Sequence, residues 1–131
     1  MPSRHVATIQ IGYDGFNRAD LTEAREILSE DVEWRTTGSF PGIEGVYRGP
    51  RALDSWMEAL RAEWREFEVS LAEVLAERDD AVVVGERLWG RGRESGAEVE
   101  MHTFAVYWFD EEGKLTLRQG FTTPEEALAA L

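Results

Sequence analysis

Apolar residues recur along this chain in two periods, and the change from one to the other divides it. Val6, Ile9, Tyr13 and Phe16 follow one another at helical spacing. That stripe predicts a helix over 3–17, with Ser3 as its N-cap and Asn17 closing it. Asp20 then caps a second helix, whose apolar face is Leu21, Ala24, Ile27 and Leu28. The short alternation of Val32, Trp34 and Thr36 predicts a strand at about residue 32. Pro50 suits the first position of a third helix, because its missing N–H costs nothing there. Leu53, Trp56, Met57, Leu60 and Trp64 give that helix its buried stripe.

From residue 66 the period is two: Phe67, Val69 and Leu71 alternate with Glu68 and Ser70. Arg78, Asp79 and Asp80 make a turn. Residues 81–92 and 97–109 read as two long strands joined by Glu94, Ser95 and Gly96, a three-residue loop with glycine where a left-handed residue is wanted. Asp110 to Gly113 turn the chain into a last strand, 114–121, and Thr123 with Pro124 opens a C-terminal helix. Helices early and strands late imply an α+β fold, with helices on one face of an antiparallel sheet.

The hairpin loop decides which side chains share a face. Three residues in the loop set Arg93 opposite Ala97, and with them Arg87 opposite Thr103, Trp89 opposite Met101, Gly85 opposite Ala105 and Val83 opposite Tyr107. Large residues around the small Gly85–Ala105 pair, bordered by Arg87 and Thr103, suggest a cavity with apolar walls and a few polar groups. A filled core with Arg87 reaching to its edge is the alternative. The other face would carry Val82, Val84, Glu86, Leu88, His102, Phe104, Val106 and Trp108. Such an apolar patch needs a cover. A homodimer through Val84, Phe104, Val106 and Trp108 is expected, with the C-terminal helix or a loop as the alternative cover.

Composition narrows the partners. The 131 residues fit one domain, and 43 % apolar against 31 % charged is globular rather than disordered. The net charge of −12 leaves no basic footprint for nucleic acid, and an anionic membrane surface would repel it. The absence of cysteine excludes a disulfide framework and a thiol nucleophile. Two separated histidines make no transition-metal cluster, so neither a metal nor another cofactor is expected. No signal-like or membrane-length apolar run is present, which makes a cytoplasmic location the expectation. The glycine–arginine run at 90–96 is like a phosphate loop only superficially, because a strand and not a helix follows it.

Five stretches, taken in order, resemble a known family: FNRADL (16–21), LSEDVEW (28–34), GVYRGPRAL (45–53), VEMHTFAVYWFDEEGKL (99–115) and TPEEALAA (123–130). No one of them is diagnostic. As an ordered set they resemble the SnoaL-like branch of the nuclear-transport-factor-2-like superfamily, over nearly the whole chain. The resemblance implies a single domain over 1–131 shaped as a cone, a strongly curved antiparallel sheet wrapped on N-terminal helices, open at one end and usually dimeric. Members include steroid isomerases, polyketide cyclases, epoxide hydrolases and binders without catalysis. In such a cone the segment 31–50 would cross the open mouth. Trp34 and Thr36 would point inward, and Phe40 and Tyr47 would line or lid the entrance; pinning a long loop to the core is the plainer role for these aromatics.

What the resemblance implies for chemistry carries over poorly. The isomerases' aspartate base falls at Thr36 and their oxyanion-stabilising aspartate at Ala105. Their tyrosine on the first helix falls at Gly12, one place from Tyr13. The arginine and aspartate of the epoxide hydrolases become Arg87 and Trp89, and acids of other relatives become Gln119 and Thr123. A slip of one residue would exchange every inward and outward side chain. The expected ligand-binding interior is Tyr13, Trp34, Thr36, Phe40, Tyr47, Trp56, Arg87, Trp89, Met101, Thr103, Tyr107 and Gln119. That set hydrogen-bonds well but offers no general base.

Binding of a small, mostly apolar molecule is therefore favoured over catalysis. The rival is an isomerase, cyclase or hydrolase acting on a carbonyl or epoxide compound, with Tyr13, Arg87, Tyr107 or His102 carrying the chemistry. A pure association module with a filled interior is the third class. His102 is expected on the outer face, and a shifted hairpin would turn it inward as the best base available.

Overall fold

The computed structural model describes residues 3–36 and 45–131. Helices α1 (Arg4–Arg18) and α2 (Thr22–Glu26) come first, followed by strands β1 (Leu28–Thr36) and β2 (Gly45–Arg48) and helix α3 (Ala52–Glu63). Strands β3 (Trp64–Glu77), β4 (Ala81–Gly92), β5 (Glu98–Phe109) and β6 (Leu115–Phe121) come next, then helix α4 (Pro124–Ala129). The strands form one six-stranded sheet in the order β2-β1-β6-β5-β4-β3. Every neighbouring pair is antiparallel except β1 and β6, which run parallel. This is the α+β cone expected from the sequence, a curved sheet that does not close on itself. Three bulges along β3 help to bend it. Among the described residues no helix is long and apolar enough to cross a membrane.

The stripes of α1 and α3 lie on the concave face. There Val6, Ile9, Tyr13, Phe16, Leu53, Trp56 and Leu60 meet Val82, Val84, Leu88, Ala105 and Tyr107 in one buried cluster. Ser3 caps α1 as predicted, its Oγ accepting from the Val6 N–H at 3.2 Å. The helix closes one residue past Arg18, at a left-handed Ala19, and not at Asn17. Asn17 instead stitches the helix to the edge strand β3. Its Nδ2 donates to the Val69 carbonyl at 2.7 Å, and its Oδ1 accepts from the Val69 N–H at 2.9 Å. Helix α3 starts at Ala52, two residues beyond Pro50, after a turn closed by the Ala52 N–H on the Gly49 carbonyl.

The β4–β5 hairpin differs from expectation by one residue, and much follows from that. Arg91 lies opposite Glu98, and the Gly92 N–H donates to the Ala97 carbonyl at 2.9 Å, so the loop holds four residues, Arg93–Gly96. Arg93 is the residue withdrawn from the ladder. Its N–H donates to the Glu63 carbonyl at 3.1 Å, and its guanidinium donates to the Arg61 carbonyl at 3.0 and 2.6 Å. A cation on the free carbonyls at the end of α3 is favourable, and it pins the hairpin tip to the helix. The added loop residue turns β4 over relative to β5. Glu86 pairs with Thr103, Val84 with Ala105 and Val82 with Tyr107, whereas Gly85 pairs with Phe104 and Arg87 with His102.

The convex face is partly covered by the chain itself. Ala127 of α4 packs with Ala81, Val83 and Val106 in a second buried cluster, against which Phe104, Trp108, Phe121 and Leu131 rest half-buried. Of the four residues expected at a dimer contact, Val84 is on the other face and Val106 is on the expected face but covered. Val84 belongs to the concave core, and Val106 is fully buried in the cluster that α4 completes.

The turn from α1 into α2 depends on Gly15. The Asp20 N–H donates back to the Gly15 carbonyl at 2.9 Å, and a Cβ built on Gly15 would lie 2.8 Å from the Asp20 carbonyl oxygen. Gly15→Ala is expected to destabilise the fold by about 1–3 kcal/mol in urea denaturation, despite the better helix propensity of alanine.

Candidate functional site

The concave face carries a buried polar group assembled from four elements. Tyr13 comes from α1, Glu86 from β4, Tyr107 from β5 and Arg118 from β6. Glu86 is 1 % exposed and Arg118 5 %. Tyr13 Oη donates to Glu86 Oε2 at 2.5 Å, and Tyr107 Oη donates to the same oxygen at 2.8 Å. Arg118 Nη2 donates to Glu86 Oε1 at 2.8 Å, and Nη1 donates to the Arg35 carbonyl at 3.2 Å. Local sequence makes room for this. Arg118 and Gly120 share the concave face, and a Cβ at Gly120 would lie 3.0 Å from Arg118 Nη1.

The guanidinium sits between two indoles. Arg118 Cζ is 5.2 Å from the Trp34 ring centre and 5.7 Å from that of Trp56, and the two rings are 5.2 Å apart. These are cation–π distances in a desolvated setting. Burial, then the Glu86 charge, push the Tyr13 and Tyr107 hydroxyls well above the usual phenol range. Burial alone would lower the Arg118 guanidinium, but the Glu86 carboxylate and the two tyrosines hold it above its ordinary value. The phenols therefore stay protonated and the guanidinium charged, and with Glu86 as carboxylate the group is formally neutral.

A cavity of ≈ 20 Å³ lies against this group, lined by Tyr13, Trp34, Trp56, Glu86, Tyr107 and a set of apolar side chains including Phe16 and Leu53. That is space for about one water. Several buried polar atoms lack partners, two on residues that line the cavity (Trp34 and Trp56) and two on the concave face outside its lining (Thr103 and Arg118). Trp34 Nε1, Trp56 Nε1, Thr103 Oγ1 and Arg118 Nε make no hydrogen bond. Among the described residues no set of three or more His, Asp or Glu is arranged to hold a metal ion.

The residues singled out from sequence divide into three sets. Tyr13, Trp34, Trp56 and Tyr107 line the cavity. Thr103 is buried beside Glu86, and Met101 and Tyr47 are half-buried against the same core without lining it. Thr36 sits at the end of β1, where its hydroxyl donates to the Gly45 carbonyl at 3.2 Å. Arg87, Trp89 and Gln119 face away, contrary to expectation. Arg87 is on the convex face in an ion pair with Glu100 at 2.8 Å, and Trp89 Nε1 donates to Glu98 at 3.2 Å. Gln119 pairs with Val106, so its neighbour Arg118 takes the inward position. His102 is on the convex face, its side chain 62 % exposed and 3.7 Å from Glu100. The hairpin did shift, but it was β4 that turned over and not β5. Phe40 lies outside the described residues.

Glu86 and Arg118 are the two functional candidates that the sequence reading missed. One signal could have found them. Only the four-residue loop sets Arg91 directly opposite Glu98, a cross-strand pair of opposite charge. The buried pair should behave as a unit. Glu86→Gln and Arg118→Met are each expected to cost about 3–5 kcal/mol, and the double variant much less than their sum, in a denaturant-melt double-mutant cycle.

The comparisons with known proteins fit this architecture. A model of the SnoaL-like domain matches residues 10–118. No curated protein matches the sequence. An NTF2-like protein of unknown function from Burkholderia pseudomallei superposes with a TM-score of 0.79 at 19 % identity, covering 98 % of this chain and 97 % of that one. A Mycobacterium tuberculosis protein solved with estradiol-17β-hemisuccinate gives 0.75 at 16 %, covering 95 % and 97 %. A protein with a ketosteroid-isomerase-like fold from Catenulispora acidiphila, solved with trimethylamine, gives 0.74 at 11 %, covering 93 % and 89 %. At these identities the solved neighbours speak to the fold alone, while the family match spans most of the sequence: the chain belongs to the SnoaL-like domain family.

Proposed function

We propose that this chain binds a small, mostly apolar molecule bearing a neutral oxygen acceptor in the interior of its cone, and that the interior widens to take it. The observation that carries this reading is the set of three buried N–H donors, Trp34 Nε1, Trp56 Nε1 and Arg118 Nε, gathered within ring-contact distance and lacking acceptors. An unmade hydrogen bond of this kind costs about 1–3 kcal/mol. A core built only for cohesion would be as stable, or more so, with apolar residues in place of the buried ion pair. A carbonyl, ether or epoxide oxygen brings acceptors without charge. A carboxylate would add a net charge to an interior where Glu86 and Arg118 already cancel. The apolar wall of Phe16, Leu53, Val69 and Phe109 suits the rest of such a molecule. Two solved neighbours were obtained with small organic molecules, trimethylamine and estradiol-17β-hemisuccinate, which supports small-molecule binding in this fold but not the neutral oxygen acceptor.

Catalysis of the isomerase, cyclase or hydrolase kind is the second reading, and Glu86 favours it, because the interior holds a carboxylate that the sequence reading had placed outside. Three donors already occupy that carboxylate, and the Tyr107 hydroxyl has Tyr13 Oη at 3.3 Å as its other acceptor. A proton could reach it only after one of these bonds broke, which is why binding comes first.

A matched set of six-membered-ring compounds separates the readings: cyclohexanone, methylcyclohexane and cyclohexanecarboxylate. The ketone is expected to raise Tm by several degrees, the hydrocarbon by less and the carboxylate least, with the ketone effect reduced in Trp34→Phe. No shift with any of the three, or a larger one with the carboxylate, overturns the reading. Turnover of a carbonyl or epoxide compound by the wild type that is lost in Glu86→Gln would put catalysis in its place. Self-association is retained in a narrower form, through Phe104 and Trp108 with the polar strip of Arg87, Glu100 and His102. Sedimentation equilibrium is expected to give a dimer for the wild type and a monomer for Phe104→Arg; a monomeric wild type removes it.

A further inference from the structure

Among the described residues the cavity has one weak side. Of the described residues that line it, only Thr8, Gly12 and Ile27 are not fully buried. Thr8 and Gly12 lie one turn apart on α1. Ile27 ends α2, immediately before β1. Among the described residues the thin place in the wall is therefore the seam between α1 and the α2–β1 junction.

Gly12 stands at the centre of that seam without a steric reason to be glycine. A Cβ built there would meet one atom, Ile27 Cδ1, at 3.5 Å, an ordinary van der Waals contact. Its backbone is helical, and alanine would favour the helix. Gly15, one turn further on, has the reason that Gly12 lacks, since its Cβ would strike the Asp20 carbonyl oxygen at 2.8 Å. The helix thus forgoes stability at Gly12 only to leave space beside the end of the Ile27 side chain. The Ile27 main chain is held in place: its carbonyl accepts from the Leu115 N–H at 2.7 Å, and the adjoining Glu26 carbonyl accepts from Lys114 Nζ. Motion at this point belongs to the side chain, whose outer torsion swings Cδ1 between staggered positions while the branched Cβ stays fixed.

We propose that Gly12 and Ile27 form a side door to the cone interior, shut in this structure by Ile27 Cδ1 resting over the glycine, and that this door sets the size of what enters. The proposal rests on the interior being a binding site, but its test does not need a ligand. The indole N–H groups of Trp34 and Trp56 have no hydrogen-bond partner, so their exchange with solvent is limited by the arrival of water and not by breaking a bond.

Their deuterium exchange, read residue by residue by NMR and divided by that of the Val84 amide in the middle of the sheet, reports the door with global unfolding removed. Ile27→Ala is expected to raise that ratio about tenfold or more, and Ile27→Val by less should the alanine variant fold poorly. Gly12→Ala is expected to lower the ratio while leaving Tm equal or higher. The Trp89 indole, bonded to Glu98 on the convex face, should not respond. Equal ratios in wild type, Ile27→Ala and Gly12→Ala overturn the door, as would wild-type indoles that exchange no faster than the Val84 amide. A responsive door with no thermal shift from any of the ring compounds would instead count against the binding reading alone.

Discussion

Glu86 is removed from water by the sheet and by α1 together, and a buried carboxylate persists only where other groups replace the water it has lost. The replacements come from three separate elements: a phenol on α1, a phenol on β5 and a guanidinium on β6. Because each is charge-assisted, the group fixes the distance between helix and sheet more sharply than apolar contact alone would. It also explains nearby choices of residue. Gly120 clears space for the guanidinium, and Trp34 and Trp56 flank it with π-faces that partly stand in for solvent. The apolar stripes bring α1 to the sheet; the tetrad decides where along the sheet it stops.

How much of this was legible in the sequence varied with the kind of information required. Element order and fold class came through because they rest on periodicity, which survives errors of a residue or two. The facing of β5 came through as well, with Thr103, Ala105 and Tyr107 on the concave side. The facing of β4 did not. Gly96 adopts a left-handed conformation, as both a three- and a four-residue loop would want, so the glycine cannot distinguish them. What settles the loop is Arg93 reaching to the carbonyls at the end of α3, a contact more than 25 residues away in sequence that no local pattern encodes. Both faces of β4 are apolar at Val82, Val83 and Val84, so the hydrophobic pattern could not correct the slip. The error exchanged Arg87 for Glu86 and left the interior without the acid that organises it.

The same turnover reassigns the convex side. Arg87, Trp89 and Arg91 find Glu100, Glu98 and Glu66 there and make a charged strip across the outer strands. At the other end of that face the short helix α4 covers the apolar positions through Ala127. An aliphatic surface expected to require a second protein is thus partly covered by the chain itself, and the half-buried residues left on it include the aromatics Phe104 and Trp108. Contact between copies would then depend on aromatic edges and complementary charge more than on a broad apolar area, a mode that is weaker and more sensitive to salt.

The balance between binding and catalysis turns on what the tetrad has left to offer an incoming molecule. A fold shared at 11–19 % identity cannot decide it, since function resides in the site and not in the frame. A general base needs a free lone pair within reach of substrate, whereas Glu86 already accepts from three donors. An oxyanion-stabilising pair needs phenol protons aimed at substrate, whereas both phenols bond within the tetrad, to Glu86 and to each other. The unused capacity belongs to the neighbours: two indole N–H groups, the Arg118 Nε–H and the Thr103 hydroxyl. All can donate, and none ionises near neutral pH. An interior whose spare groups are three N–H donors and one hydroxyl is suited to holding an acceptor, and moving a proton would first require the carboxylate at its centre to give up a partner.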